Sequence, residues 1–266
     1  MATLLEIVLL AVIQGLTEWL PISSSGHLVI AQEYLGLRVP VFFDIVLHLG
    51  SLVVVLAVLW KDVLNILKAV ARLDFKSEDG KLALYVILGS MATAVIGLTL
   101  RDLFESFFHN LLAVGVAFII TGSFYSIVYV SKRGKLPSGS LSPLRAVLVG
   151  IAQGVALIPG ISRSGSTIAT GLLLKVESKV AFRFSFLLFV PAIIGATVLT
   201  ALDSENLSMA GIDYFGLFLG LVATVIVGFF SLKLLLKVVL KDKMHVFAYY
   251  CWALGLLLVL SQVVRI

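Results

Sequence analysis

Apolar residues are spread along the whole chain in runs of about twenty, and that feature limits the fold more than any other. Six runs, at about residues 41–60, 82–100, 111–130, 180–201, 214–232 and 246–264, are each long enough to cross a hydrocarbon core of roughly 30 Å as a helix. Only 13% of the 266 residues are charged, about half the share in an average soluble domain. A soluble fold could not cover that much apolar surface, so the sequence predicts an all-α polytopic membrane protein. The lone cysteine, Cys251, sits inside an apolar run and is expected to be a buried free thiol. Nothing basic precedes the first apolar stretch, so residues from Met1 onward are expected to be part of the fold rather than a cleaved leader. No zinc spacing, phosphate-binding loop or basic aromatic stripe is present, which argues against an organic cofactor and against nucleic acid.

Two further apolar stretches, 3–36 and 141–176, are interrupted by the polar segments PISSSGH and PGISRSGS. The arm 28–36 reaches only about 13 Å as a helix, less than half a bilayer. Each stretch is therefore expected to be a re-entrant helical hairpin. Basic residues support this reading. With two hairpins and six crossings, the loops 61–81, 131–145, 175–179 and 233–243 share one face and carry fifteen Lys or Arg, against Arg38, Arg101 and Arg265 on the other face. That bias places the first face in the cytoplasm.

A shift of 139 residues lays Gln14-Gly15 on Gln153-Gly154, Ile22-Ser23 on Ile161-Ser162 and Ser25-Gly26 on Ser164-Gly165. The chain thus reads as one membrane domain, 1–266, built from an inverted-topology repeat. Repeat one, about 1–133, comprises the hairpin 3–36 and three spans; repeat two, about 141–266, comprises the hairpin 141–176 and three spans. The first hairpin enters from outside and the second from the cytoplasm, so their broken tips can meet in the bilayer. A site there would open toward the outer face.

The chemistry-bearing residues lie at those two breaks. The first holds Gln14, Glu18, Ser23, Ser24, Ser25, Gly26 and His27; the second holds Ser162, Arg163, Ser164, Gly165, Ser166 and Thr167. Hydroxyls, glycine and free amides at a helix N-terminus suit an anion, and an arginine adds a planar fork for phosphate oxygens. Taken alone, a Ser/Gly/Pro cluster in a membrane helix is most often a packing contact. An acid, an imidazole and a guanidinium are each costly at membrane depth, and their coincidence in paired breaks points to a shared site. His48 and Asp44, four apart on one span, face either the site or each other, with the structural pairing favoured, and Arg183 is read as an anchor at the cytoplasmic surface. His109 and His245 are assigned nothing.

At these residues the chain resembles the undecaprenyl-diphosphate phosphatase family, the integral membrane enzymes associated with bacitracin resistance. The resemblance rests on Gln14-x-x-x-Glu18 running into Pro21-x-Ser23-Ser24-x-Gly26-His27, on Pro159-Gly160-x-Ser162-Arg163-Ser164-Gly165, and on the runs FDIVLHLGS and FSFLLFVPAIIGA. It implies a cell-membrane enzyme that hydrolyses a C55-type polyprenyl diphosphate to the monophosphate, recycling a lipid carrier for cell-wall and surface-glycan assembly. It also implies Glu18, Ser24, His27 and Arg163 as catalytic residues, with Gln14 and the neighbouring serines in support. A divalent cation, magnesium or calcium, is part of the implication, with Glu18 as its candidate ligand; Gln14 stands where many relatives carry a second carboxylate. Expected partners are the lipid substrate, membrane lipids and a second copy in a homodimer. The residues leave two nucleophiles open, Ser24 or His27, with Ser24 favoured. An inverted-repeat transporter or polyprenyl-phosphate flippase is the alternative, since broken helices meeting at midplane also serve alternating access.

Overall fold

The computed structural model describes residues 3–37, 39, 41–132, 138–202 and 214–264. Arg38, Arg133, Lys135, Arg265 and nearly all of the acidic loop 202–213, on which part of the charge count rests, lie outside the described residues.

The described chain is a helical assembly. Helix α1 (Leu4–Thr17) starts at a capping box, with the Thr3 amide 2.6 Å from a Glu6 carboxylate oxygen, and stops short of Pro21, which lacks a backbone donor. Helix α2 (Ser24–Leu35) ends at Gly36, whose φ of +63° needs no Cβ to be accommodated. Then follow α3 (Val41–Val58), α4 (Trp60–Ala71), α5 (Glu78–Thr99), α6 (Arg101–Phe107) and α7 (Leu111–Lys132). The second half holds α8 (Pro143–Val155), α9 (Arg163–Leu173), α10 (Ser178–Leu202), α11 (Tyr214–Leu240) and α12 (Val246–Val263).

Five of these, α5, α7, α10, α11 and α12, are long and apolar enough to cross a membrane. The sixth expected span, 41–60, is α3, which reaches that standard only together with α4, and the two meet at an 82° bend. The bend falls where charge begins. Lys61, Asp62, Lys68 and Arg72 alternate with the exposed Trp60, Leu64 and Leu67, so the segment expected to be loop forms an amphipathic helix suited to a membrane surface. Likewise, residues 233–240, expected to be loop, continue α11, and α6 occupies much of 101–110. Large apolar side chains such as Ile87, Val95, Ile127, Phe218, Phe230 and Leu257 are exposed, the outward surface of a protein dissolved in lipid.

Both interrupted stretches form helix pairs. In the second, the Gly139 amide donates to Lys175 O and the Glu177 amide to Gly139 O, each at 2.9 Å, so the chain leaves beside the place where it came in. Close packing fixes each first arm against a long helix. Thr224 of α11 donates to Ala11 O of α1 at 3.2 Å, and Thr93 of α5 donates to Gly150 O of α8 at 2.9 Å. Ala11 and Gly150 are equivalent under the 139-residue shift. At both contacts small residues let the backbones approach, as at Gly15 beside Gly228 and Gly150 beside Gly89.

Candidate active site

The site forms where the two breaks touch. Ser23 caps α2, accepting from the Gly26 amide at 3.3 Å, and the same hydroxyl accepts from the Gly160 amide of the other break at 3.1 Å. Ser162 caps α9 in the same way, accepting from the Gly165 amide at 3.2 Å, and Ser164 donates to Trp19 O at 3.2 Å. No side chain fits at Gly26, because a Cβ there would lie 2.8 Å from the Phe118 ring and 2.9 Å from Gly160 Cα. The hydroxyls of Ser25 and Ser164 pair with those of Ser23 and Ser162, respectively. Thr167 donates to Arg163 O at 2.9 Å and pairs with Ser185 at 2.5 Å, while Ser166 is buried beside it. Much of the expected anion-binding set is thus spent on capping the helices and joining the tips.

Glu18 is the hub. It is 6% exposed, a burial that a carboxylate withstands only with partners. Arg163 donates from Nη2 to Oε1 at 2.6 Å. Ser24 donates to Oε2 at 2.5 Å, and Gln14 donates to the same oxygen at 3.1 Å. The guanidinium lies over the Phe189 ring, 3.9 Å from its centroid, and its buried Nη1 has no hydrogen-bond partner. A hydroxyl held by a carboxylate, next to a guanidinium with an uncommitted donor, can deliver an oxygen nucleophile to an anionic centre and steady the charge that develops there.

His27 stands to one side of this cluster. Its Nδ1 is 2.7 Å from Ser23 O and its Nε2 is 2.6 Å from the Tyr250 hydroxyl, with the Phe118 ring edge-on. Of the residues expected from the sequence, Gln14, Glu18, Ser24 and Arg163 therefore share one cluster, and His27 flanks it with Tyr250.

One contribution was the less favoured of two alternatives in the sequence, and another escaped it. Of the two alternatives for His48, the structure has the site-facing one: its Nδ1 meets the Asp44 backbone carbonyl, and its Nε2 lies 3.6 Å from Glu18 Oε2. Tyr250 gave no signal, since one tyrosine in an apolar run resembles any other. Arg183 also meets acids: Asp62 at 2.8 Å and Asp79 at 3.2 Å tie α10 to α4 and α5.

The donor set does not suit a resident divalent cation. Glu18 is the one carboxylate in the cluster, and a fixed guanidinium lies 2.6 Å from one of its oxygens. Hard cations need several oxygen ligands. Among the described residues, no group of three or more His, Cys, Asp or Glu side chains comes together.

A family model described as bacitracin resistance protein BacA matches residues 7–257. Similar proteins span the full length. An undecaprenyl-diphosphatase of Methanosphaera stadtmanae is 37% identical over 99% of this chain and 100% of its own. One of Carboxydothermus hydrogenoformans is 40% identical over 97% of each chain. One of Desulforapulum autotrophicum is 42% identical over 96% of each.

Proposed function

The chain belongs to the family of the bacitracin resistance protein BacA, and from that premise we propose that Ser24, Glu18, Arg163 and His27 carry out its reaction. It is an undecaprenyl-diphosphatase, hydrolysing undecaprenyl diphosphate to the monophosphate and so recycling a lipid carrier. The observation that carries the assignment of roles is the buried Ser24–Glu18–Arg163 chain, with its 2.5 Å and 2.6 Å contacts and the free Nη1 beside it.

In this reading Ser24 Oγ attacks the terminal phosphorus as its proton passes to Glu18 Oε2. The bond from phosphorus to the bridging oxygen breaks, and its electron pair leaves with the polyprenyl monophosphate. Arg163 holds Glu18 with Nη2 and turns Nη1 to the phosphate oxygens, where it offsets developing charge. His27 enters this step as the imidazolium, exchanges its Tyr250 partner for substrate and gives its Nε2 proton to the leaving oxygen. Water then attacks the phosphoserine, giving a proton to His27 Nε2, which lost its own in the first step; the phosphorus–Oγ bond breaks, and Oγ recovers the proton held by Glu18. Inorganic phosphate departs. Purified protein in detergent is expected to release phosphate from a C55 polyprenyl diphosphate. Lipid binding without phosphate release would favour the carrier reading instead.

The topology belongs to the same proposal: six crossings plus two re-entrant hairpins, in a cell membrane, as an inverted repeat whose site opens outward. It is supported by the repeated threonine bonds to Ala11 and Gly150, by the matched serine caps, by the closed ends of the second hairpin and by the charge bias. In a Cys251→Ser background, Lys76→Cys and Lys241→Cys are expected to be labelled by an impermeant thiol reagent only from the cytoplasm, and Asn110→Cys only from outside. Labelling of Lys76→Cys and Lys241→Cys from opposite faces would break the inverted arrangement.

A further inference from the structure

Glu18 Oε2 has a neighbour for which the mechanism above finds no use. His48 Nε2 lies 3.6 Å away, carried by α3, a helix outside both hairpins. The ring is held in a defined tautomer. Its Nδ1 is 2.7 Å from the carbonyl oxygen of Asp44, and a carbonyl can only accept, so Nδ1 carries a hydrogen, and in the neutral ring the lone pair of Nε2 faces the carboxylate. The neutral ring thus sets a lone pair against the carboxylate across a gap too long for a hydrogen bond, whereas the protonated ring would form an ion pair with Oε2. His27 cannot fill this position, because both its nitrogens are engaged elsewhere, by Ser23 and Tyr250.

The confrontation changes once the reaction starts. We propose that His48 is a positioning residue of the hydrolysis, acting through Glu18: when Oε2 takes the proton of Ser24, the new O–H donates to His48 Nε2. The proton comes from Ser24 Oγ and stays on Glu18 while the phosphoserine exists, and the bond to His48 holds it turned from the serine. Such a bond is absent from the ground state and forms only with proton transfer, so it speeds the chemical step without tightening binding of the lipid. Gln14 cannot do the same from its observed pose, since the group it presents to Oε2 is the amide nitrogen, a donor.

The inference rests on the reading of Glu18 as the base for Ser24, and the test separates the two. His48→Ala is expected to lower kcat by about tenfold to a hundredfold, the scale of one hydrogen bond to a strongly polar partner, with KM within about threefold. His48→Gln, which offers an amide oxygen as acceptor, is expected to restore most of that loss, and it serves as the measured variant should the alanine protein fail to insert. In a Glu18→Gln background, adding His48→Ala is expected to cost nothing further, because the group it serves is gone. Wild-type kcat for His48→Ala, a loss confined to KM, or the full loss repeated in the Glu18→Gln background would overturn the role of His48. Normal turnover by Glu18→Gln alone would instead overturn the reading of Glu18.

Discussion

Replacing Arg163 with Lys is expected to leave the protein folded and inserted while cutting phosphate release by about a hundredfold, the usual scale for losing one oriented donor to a developing oxyanion. The reason is geometric. One guanidinium faces two ways at once, with Nη2 spent on Glu18 at 2.6 Å and Nη1 left without a partner. Its plane is set by the Phe189 ring beneath it. An ammonium is a point charge on a flexible stem; it can pair with Glu18 or reach the phosphate, but it cannot hold both in a fixed plane. Arg163→Ala is expected to be worse in turnover and in thermal stability, since removing one partner of a buried pair typically costs about 3 to 5 kcal/mol. Near-wild-type phosphate release by the lysine variant would reduce Arg163 to charge balance and leave the second break as packing.

Ser24→Ala and Glu18→Gln are each expected to lower kcat by about a thousandfold or more, within the range for removal of a nucleophile or general base. The two hydrogen-bond at 2.5 Å and act as a unit, so the double variant is expected to be scarcely worse than either single one. A trapped phosphoenzyme distinguishes the candidate nucleophiles, because phosphoserine survives acid and phosphohistidine does not. An acid-stable label that disappears in Ser24→Ala is the expected result. An acid-labile label that persists in that variant and disappears in His27→Asn would move the covalent step to His27.

Several features of this site were legible in the chain. A polar break with proline, glycine and serines stands out in an apolar sequence because lipid offers an unpaired backbone no partner. The shift that lays Ser23-x-Ser25-Gly26 on Ser162-x-Ser164-Gly165 marked the two breaks as equivalent, and the structure gives them matching serine caps, at 3.3 Å and 3.2 Å. The Gln14-x-x-x-Glu18 spacing is one helical turn, which puts the two on one face, and they do touch. The breadth of the helical elements was less legible. Amphipathic α4 and the last two turns of α11 read as loop because their lysines were counted as charge, although lysine is a good helix former and its long stem keeps the head in water.

The sequence by itself determined that the chain lives in lipid, that it is helical and where its two helix pairs break, and it pointed to an acid, an imidazole and a guanidinium at those breaks, of which the acid and the guanidinium meet directly. Those properties follow from length, hydropathy and local hydrogen-bonding chemistry, which act over a few residues. Only the tertiary structure decided which imidazole meets Glu18. His27, nine residues from Glu18 in its own hairpin, turns to Tyr250, 223 residues further along the chain, while His48 comes in from α3. In water an apolar stripe would reveal a helix's inward face, but in lipid the outward face is apolar too. The rotation of α3 and α12 about their axes is set instead by close packing between helices far apart in sequence, as where Leu221 and Thr224 lie against Gly50 and Gly255 lies against Gly115. Such contacts leave no periodic mark on the chain.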